Sequence, residues 1–171
     1  MNLEAPQHRI NEKSYSLNLT QREKDVMTFA ARGQKNPQIA YSLGISVRTV
    51  KTHIEKVSQK FNAQGRTEAV IKGLLKGVIS IEDAVADIDT TNITDHIAQL
   101  TPREIEILDF ITKDEDIFSK DGALLPTTLY IKPKTLNAHM RNIYRKLGVH
   151  NKTQAAVYFL YAQQQNKLSP S

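Results

Sequence analysis

Basic and hydroxyl side chains recur on one face of a short predicted helix in the first third of the chain. The segment 46–61 reads SVRTVKTHIEKVSQKF. Lysine and arginine on that face can donate to guanine O6/N7 and to phosphate oxygens. The opposite face is apolar, because residues spaced three and four apart line one side of a helix; they are Val47, Val50, Ile54, Val57 and Phe61. A helix that is buried on one side and basic on the other suits the major groove of DNA.

The candidate DNA contacts are concentrated in the first part of this helix. Lys51 and Arg48 are predicted to contact base edges or phosphates, because both are long hydrogen-bond donors. The full set predicted for this segment is Arg48, Thr49, Val50, Lys51, Thr52, His53 and Lys56.

Local signals predict the elements that hold this helix in place. Ser46 is a good N-cap, since its hydroxyl can accept a hydrogen bond from a free N–H of the first turn. A capping box, an Asn-Pro pair and glycines at helix ends mark three further helices. The first is predicted to be capped by Thr20 and to end at Gly33. The second has Asn36 as its predicted N-cap and Pro37 as its first residue, and the third runs from about Arg66 to Lys76.

The chain contains a second, divergent copy of this pattern. LTPREIEILDF from Leu100 matches LTQREKDVMTF from Leu19 at an offset of 81 residues, and residues from Thr135 onward match those from Thr49 onward at an offset of 86. An internal duplication explains this match better than chance. Because asparagine pairs with adenine N6/N7, the second copy is expected to read a different base or none. Its candidate contacts are Lys134, Thr135, Asn137, His139 and Arg141.

The second copy departs from the first between its first and third helices. The charged sequence DEDIFSKDG replaces the Gly-x-x-Asn entry, and Pro126 stands where the first copy has Ala40. A proline there removes an i−4 hydrogen bond unless the helix begins at that point. The second helix of this copy is therefore expected to be short or rebuilt, which makes the copy a weaker DNA binder or a pairing module.

Charge is distributed unevenly along the chain. Residues 1–77 hold 13 Lys/Arg and 6 Asp/Glu, residues 78–99 hold 5 acids and no Lys or Arg, and residues 100–171 hold 10 Lys/Arg and 7 acids. Two basic lobes favour a polyanionic partner. The acids between them would either repel DNA phosphates or dock on a basic surface of one lobe, and the sequence leaves both alternatives open.

Several functional classes find no support in the sequence. There is no cysteine for disulfides or thiolate metal sites, and the five histidines are scattered without metal-ligand spacing. No phosphate-binding glycine loop or nucleophile motif occurs. We therefore expect no enzyme activity, no cofactor and no metal. The absence of a long apolar run and of a signal peptide leads us to expect a cytoplasmic protein.

The motifs of the first copy resemble the DNA-binding domain of the LuxR family of bacterial transcription regulators. Region 4 of sigma factors shares the helix-turn-helix core, but it does not usually carry the histidine or the Arg-Thr-Glu-Ala-Val helix found here. The resemblance implies that Thr49 and His53 contact phosphates. The motifs are Leu19-Thr20-x-Arg22-Glu23, Ala31-x-Gly33-x-x-Asn36, Ile39-Ala40, Ile45-Ser46, Thr49-Val50-Lys51-x-His53 and Arg66-Thr67-Glu68-Ala69-Val70.

The resemblance also implies the organisation of the whole chain. We expect an all-α protein with two small four-helix LuxR-type helix-turn-helix domains in tandem. The expected division is a flexible tail at 1–17, a first domain at 18–78, an acidic linker at 79–99 and a divergent second domain at 100–166. Ion pairs between the first and fourth helices are expected to join Glu23 to Arg66 and Glu104 to Lys152.

The expected function is transcription regulation through binding of duplex DNA, mainly by the helix within 46–61. No sensory domain of the kind that accompanies most LuxR-family regulators is expected within this chain. The fourth helices are the surface expected to pair, either with a second copy of the chain or with a partner regulator. The alternative is an adaptor or antagonist that binds another transcription regulator through its helix-turn-helix lobes.

Overall fold

The computed structural model describes residues 18–113 and 129–168, and within these residues it contains helices and no β-strand. This confirms the all-α fold expected from the sequence. The helices of the described part are α1 (Gln21–Ala31), α2 (Asn36–Leu43), α3 (Val47–Lys60), α4 (Arg66–Leu75), α5 (Ile81–Val85), α6 (Ile93–Ala98), α7 (Pro102–Thr112), α8 (Pro133–Leu147) and α9 (Lys152–Leu168).

The first repeat (residues 18–78) forms α1 to α4 in the predicted order. The capping box at its start is present, because the Thr20 hydroxyl accepts from the Glu23 N–H and the Glu23 carboxylate accepts from the Thr20 N–H. α2 begins at Asn36 with Lys35 as its N-cap, one residue earlier than predicted. Gly44 then adopts the left-handed conformation with φ of 62°, which glycine tolerates, and turns the chain into α3.

The second repeat (residues 100–166) supplies the counterparts of the first, third and fourth helices as α7, α8 and α9. α8 begins at Pro133, where a proline costs no helical hydrogen bond. Its buried face repeats the stripe of α3 and consists of Leu136, Met140, Ile143 and Leu147. Pro126, the DEDIFSKDG loop and the expected second helix lie within 114–128, outside the described residues.

The connector (residues 79–99) is packed against both repeats. α5 is capped by Ser80, whose hydroxyl accepts from the Asp83 N–H, and α6 begins at Ile93 after Asn92. The apolar residues at the start of the connector are buried in the core of the first repeat, and those at its end pack on the core of the second. The earlier group is Ile79, Ala84 and Val85, and the later group is Ile88, Ile93 and Ile97.

The acidic connector docks on the first repeat through a basic side chain at the end of α1. The Nε of Arg32 donates to the Asp83 carbonyl oxygen at 2.8 Å, and Arg32 also lies 3.9 Å from the Asp87 carboxylate. Arg32 in turn stacks over the Phe29 ring. Of the two alternatives that the sequence leaves open for these acids, the structure therefore contains the docked arrangement.

The two repeats also contact each other directly, through their fourth helices. Ile71 of α4 is buried in the core of the second repeat, and Val157 of α9 is buried in the core of the first. Tyr158 and Phe159 of α9 are buried as well. The Tyr158 hydroxyl lies 2.7 Å from His96 Nδ1 of α6. The domain boundaries drawn from the sequence stay a prediction, but the units they delimit are in close contact.

The two carboxylates expected to pair with the fourth helices form ion pairs with the third helices. Glu23 pairs with Lys60 at the end of α3, and Glu104 pairs with Lys146 of α8, each at 2.7 Å. Both pairs thus join a first helix to a third helix. Arg66 does not pair with Glu23 because its guanidinium donates to backbone carbonyl oxygens and to Asn36, as described below. Among the described residues, no helix is both long enough and apolar enough to cross a membrane.

Candidate nucleic-acid interface

α3 presents one polar face to solvent and buries the other in the core of the first repeat. Val50 and Val57 are completely buried, and Phe61 just after the helix is nearly so. Residues three or four apart share one face of a helix, so the polar residues in the first half of α3 project into solvent on the same side. The exposed candidates are Arg48, Lys51, Thr52 and Lys56, and the half-buried ones are Thr49 and His53.

Two of the predicted contacts lie differently from the rest. Val50 has no exposed surface, so it belongs to the core that positions α3, and its side chain is not accessible for contact with DNA. His53 is half-buried, and its Nδ1 atom is buried without a hydrogen-bond partner. Val47, which the periodicity assigned to the buried stripe, is exposed at the first turn of the helix.

The N-terminus of α3 is fixed by its cap. The Ser46 hydroxyl accepts a hydrogen bond from the Thr49 N–H at 3.0 Å, as predicted, and also lies 2.8 Å from the Thr49 hydroxyl. One turn later the Thr52 hydroxyl donates to the Arg48 carbonyl oxygen. The first turn, which carries Arg48, is therefore held by local hydrogen bonds.

The C-terminal end of α3 is tied to the start of α1 by the Glu23–Lys60 pair. The carboxylate of Glu23 is buried and also accepts from the Thr20 N–H at 2.8 Å. Burial raises the pKa of Glu23, but the hydrogen bonds from Lys60 and Thr20 and the charge of Lys60 together lower it below its ordinary value. Glu104 repeats this arrangement with Lys146 and Thr101, and its pKa is lowered for the same reasons.

Arg66 at the start of α4 braces the turn that precedes α2. Its guanidinium donates to the carbonyl oxygens of Ala30 and Gln34 and to the Asn36 side chain. Burial lowers the pKa of Arg66 from its ordinary value. A planar group with several donors in a fixed fork can serve three acceptors at once, which an ion pair with Glu23 would prevent. The helix-turn-helix is thus locked from both sides.

α8 offers a second polar face of similar design. Lys134, Thr135, Asn137 and Arg141 are exposed, and His139 is half-buried. Unlike α3, this helix carries no acidic residue, and it ends with Arg145 and Lys146 in its last turn. The described structure thus places the predicted contacts on two separate helices, one in each repeat.

Two exposed tyrosines adjoin these helices and were not identified from the sequence. Tyr41 of α2 is 91% exposed, and Tyr130, two residues before the N-cap of α8, is 95% exposed. Their hydroxyls could donate to phosphate oxygens. Periodicity gives no signal for them, because tyrosine is common both in cores and on surfaces. Among the described residues, no cluster of histidine, aspartate or glutamate could hold a metal ion.

Comparison with known proteins identifies the family. The model for bacterial regulatory proteins of the luxR family matches residues 17–72 and again residues 98–159. The chain belongs to the luxR family. The double match confirms the tandem duplication, since both repeats are recognised separately. Members of this luxR family are DNA-binding transcription regulators of bacteria, which agrees with the basic faces of α3 and α8.

Individual luxR-family relatives match only part of the chain. The transcriptional regulatory protein YdfI of Bacillus subtilis is 36% identical over 75 residues, covering 44% of this chain and 35% of the relative. The uncharacterized transcriptional regulatory protein YhcZ of the same organism is 44% identical over 72 residues, covering 40% and 34%. The response regulator protein VraR of Staphylococcus aureus is 42% identical over 53 residues, covering 31% and 25%.

These relatives extend well beyond the matched region. The chain spans about a third of their length or less. No solved structure matches the chain.

Proposed function

We propose that this chain regulates transcription by binding duplex DNA, with α3 in the major groove as its main reader. The observation that carries the proposal is the division of α3 into two faces. Val50 and Val57 are completely buried, while Arg48, Lys51 and Lys56 project into solvent. A helix held in this way can enter the groove without losing its packing on the repeat.

The anchoring of α3 supports the proposal, because base reading requires a helix that does not shift on contact. Ser46 holds its first turn, and the Lys60–Glu23 pair holds its last turn at 2.7 Å. Arg66 locks the loop between α1 and α2 to the start of α4. The residues that face outward therefore sit on a scaffold fixed at three points.

The side chains on the exposed face of α3 suit two kinds of contact, one with base edges and one with phosphates. Lys51 lies at the centre of the exposed face in the first half of the helix, where recognition helices contact base edges. Its ammonium group suits guanine O6 and N7. Arg48, Thr49 and His53 flank it and suit phosphate oxygens, which fix register without reading sequence.

The connector is compatible with this role, because it docks on α1 through Arg32. Arg32 donates to the Asp83 carbonyl oxygen and lies 3.9 Å from the Asp87 carboxylate. We propose that the second repeat is the weaker DNA binder and that it contributes pairing through α9. Its α8 is basic, but Asn137 replaces the central lysine.

The proposal is tested by equilibrium binding of the full chain to fluorescent duplex DNA at several salt concentrations. Neutralising about three to six phosphates gives a slope of log affinity against log salt of about −3 to −5. An adaptor that binds another regulator would show no salt-dependent affinity for DNA. Lys24→Ala serves as a charge-matched control for Lys51→Ala, because Lys24 lines a cleft between α1 and the connector near Ser80 and Asp83.

A further inference from the structure

Equivalent residues of the two repeats touch each other at the centre of the chain. The hydroxyls of Thr67 in α4 and Thr153 in α9 are 2.8 Å apart and are separated by 86 residues. This separation equals the offset that aligns α3 with α8. Equivalent positions meet in this way where two copies are related by a two-fold axis.

Burial on either side of this contact is reciprocal. Ile71 of α4 is 1% exposed and belongs to the core of the second repeat, while Val157 of α9 is fully buried and belongs to the core of the first. These two residues are again related by the repeat offset. Each fourth helix therefore donates a branched side chain to the other repeat, which is the pattern of an isologous dimer interface.

Further contacts fix this pairing in one arrangement. The Asn151 side chain donates to the Gly33 carbonyl oxygen at 3.2 Å, and the Gln154 side chain donates to the Arg32 carbonyl oxygen at 2.9 Å. Gln154 lies so close to Gly33 that a Cβ added there would meet it at 2.4 Å. Glu68, the counterpart of Gln154, bonds within its own repeat to Lys72. The interface therefore pairs equivalent residues at its centre, whereas the contacts of Asn151 and Gln154 at its edge are not repeated, among the described residues, by their counterparts in the first repeat.

We propose that a single chain acts as a built-in dimer and binds one bipartite duplex site with unlike half-sites in inverted orientation. The inference rests on the proposed function. A two-fold axis that relates α4 to α9 would also relate α3 to α8, and a two-fold pair of recognition helices matches half-sites separated by whole turns, about 10 base pairs each.

The half-sites differ because the central residue of each recognition helix differs. Lys51 in α3 is exposed and suits guanine, whereas Asn137 at the matching position of α8 is exposed and suits adenine N6/N7. The operator is therefore an imperfect palindrome, with guanine in one half and adenine at the matching position of the other.

The first experiment uses the fact that the chain contains no cysteine. The variant Thr67→Cys/Thr153→Cys is oxidised with oxidised glutathione, which accepts the two electrons released when the thiols join. We expect a disulfide within one chain, a monomer on a non-reducing gel and unchanged DNA affinity. Disulfide-linked dimers, or loss of DNA binding when the intrachain bond forms, would overturn the inference. Each single cysteine variant is the control.

The second experiment selects bound sites from a random duplex pool with the full chain and with Asn137→Lys. We expect one chain per duplex, measured by sedimentation equilibrium, and a bipartite inverted motif. In the variant, adenine in one half changes to guanine while the other half is unchanged. A motif with one half-site that ignores the substitution, or two chains per duplex, overturns this inference but leaves DNA binding by α3 intact. Absence of any DNA binding overturns both.

Discussion

Lys51 and Val50 are neighbours in the chain, yet their side chains serve opposite purposes on α3. Val50 is completely buried against the other helices of the first repeat, whereas Lys51 is exposed. A substitution at Lys51 therefore tests DNA contact without disturbing the core. The same separation does not hold at His53, which is half-buried and carries an unpartnered Nδ1 atom.

We expect Lys51→Ala to weaken sequence-specific binding by about 1–3 kcal/mol, or about 5- to 150-fold in Kd, while leaving the fold intact. The reason is the loss of a donor that faces base edges. Fluorescence anisotropy on a selected duplex measures the change, and circular dichroism checks the fold. The Lys24→Ala control loses the same charge and should bind nearly as well as the unaltered chain. Equal losses in both variants would mean that only net charge matters.

The buried carboxylates Glu23 and Glu104 should govern stability in acid. Each has a pKa below its ordinary value in the folded chain. A carboxylate with a lowered folded pKa contributes stability that is complete above its unfolded pKa, about 4.5, and is lost as the pH falls through the folded value. We therefore expect the free energy of unfolding to fall steeply below about pH 4.5.

Urea unfolding between pH 3 and pH 7 measures this effect. The double variant Glu23→Gln/Glu104→Gln should be less stable at pH 7 and should lose less stability in acid. The variant Glu106→Gln, which removes an exposed carboxylate of α7, is the matched control. If the free energy of unfolding falls as steeply with decreasing pH in the double variant as in the unaltered chain, then Glu23 and Glu104 do not cause the loss of stability in acid.

Residue roles were predictable from the sequence where they depend on local geometry. The caps at Thr20 and Ser46 follow from hydrogen bonds within one turn, and both are confirmed. The partner of Glu23 depends instead on which basic group reaches it in three dimensions. Lys60 does so because Arg66 is occupied by the carbonyl oxygens of Ala30 near the end of α1 and of Gln34 in the loop after it. Spacing along the chain carries no information about that competition.

At the scale of elements, α4 and α9 each belong to two packing units at once. Ile71 projects from α4 into the second repeat, and Val157 projects from α9 into the first. The sequence led us to expect pairing through the fourth helices with a second copy or a partner regulator, but it gave no sign that they pair with each other within one chain. The α6 helix shows the same limit, since Ile93 at its start packs on the core of the second repeat.

We expect Ile71→Ala to lower the free energy of unfolding of the whole chain by about 2–5 kcal/mol. A buried isoleucine leaves a cavity, and this cavity lies where both repeats meet. Both repeats should then unfold in one transition, monitored by circular dichroism during urea denaturation. Leu75→Ala on the same helix is the control, because Leu75 is 49% exposed and should change stability by no more than about 0.5 kcal/mol. Similar small effects from both variants would contradict a shared core.

At the scale of the whole molecule, the repeats should contribute unequally to DNA affinity. Two variants remove three basic residues each, Arg48, Lys51 and Lys56 from α3, or Lys134, Arg141 and Arg145 from α8. Each lost phosphate contact reduces the salt slope by about 0.9. We expect the α3 variant to lose more affinity and more sequence preference, because α3 supplies the stronger half. Equal losses would show that the two repeats contribute equally.

The organisation of the whole molecule was predictable only in part. The duplication and the family were readable from motif order, and the match to both repeats confirms them. The docking of the connector on Arg32 and the pairing of α4 with α9 were not readable, since they depend on contacts between residues far apart in the chain. The segment 114–128, where the repeats differ most in sequence, lies outside the described residues.

Entry of α3 into the DNA can be observed by backbone amide NMR of the full chain with a selected duplex. We predict the largest chemical-shift changes between Val47 and Lys56, smaller ones in the first half of α8, and little change in α5 and α6. The residues of the buried stripe, such as Val57, should move less than their exposed neighbours. Changes confined to the connector or to α9, with α3 unaffected at saturating DNA, would contradict entry of α3 into the DNA.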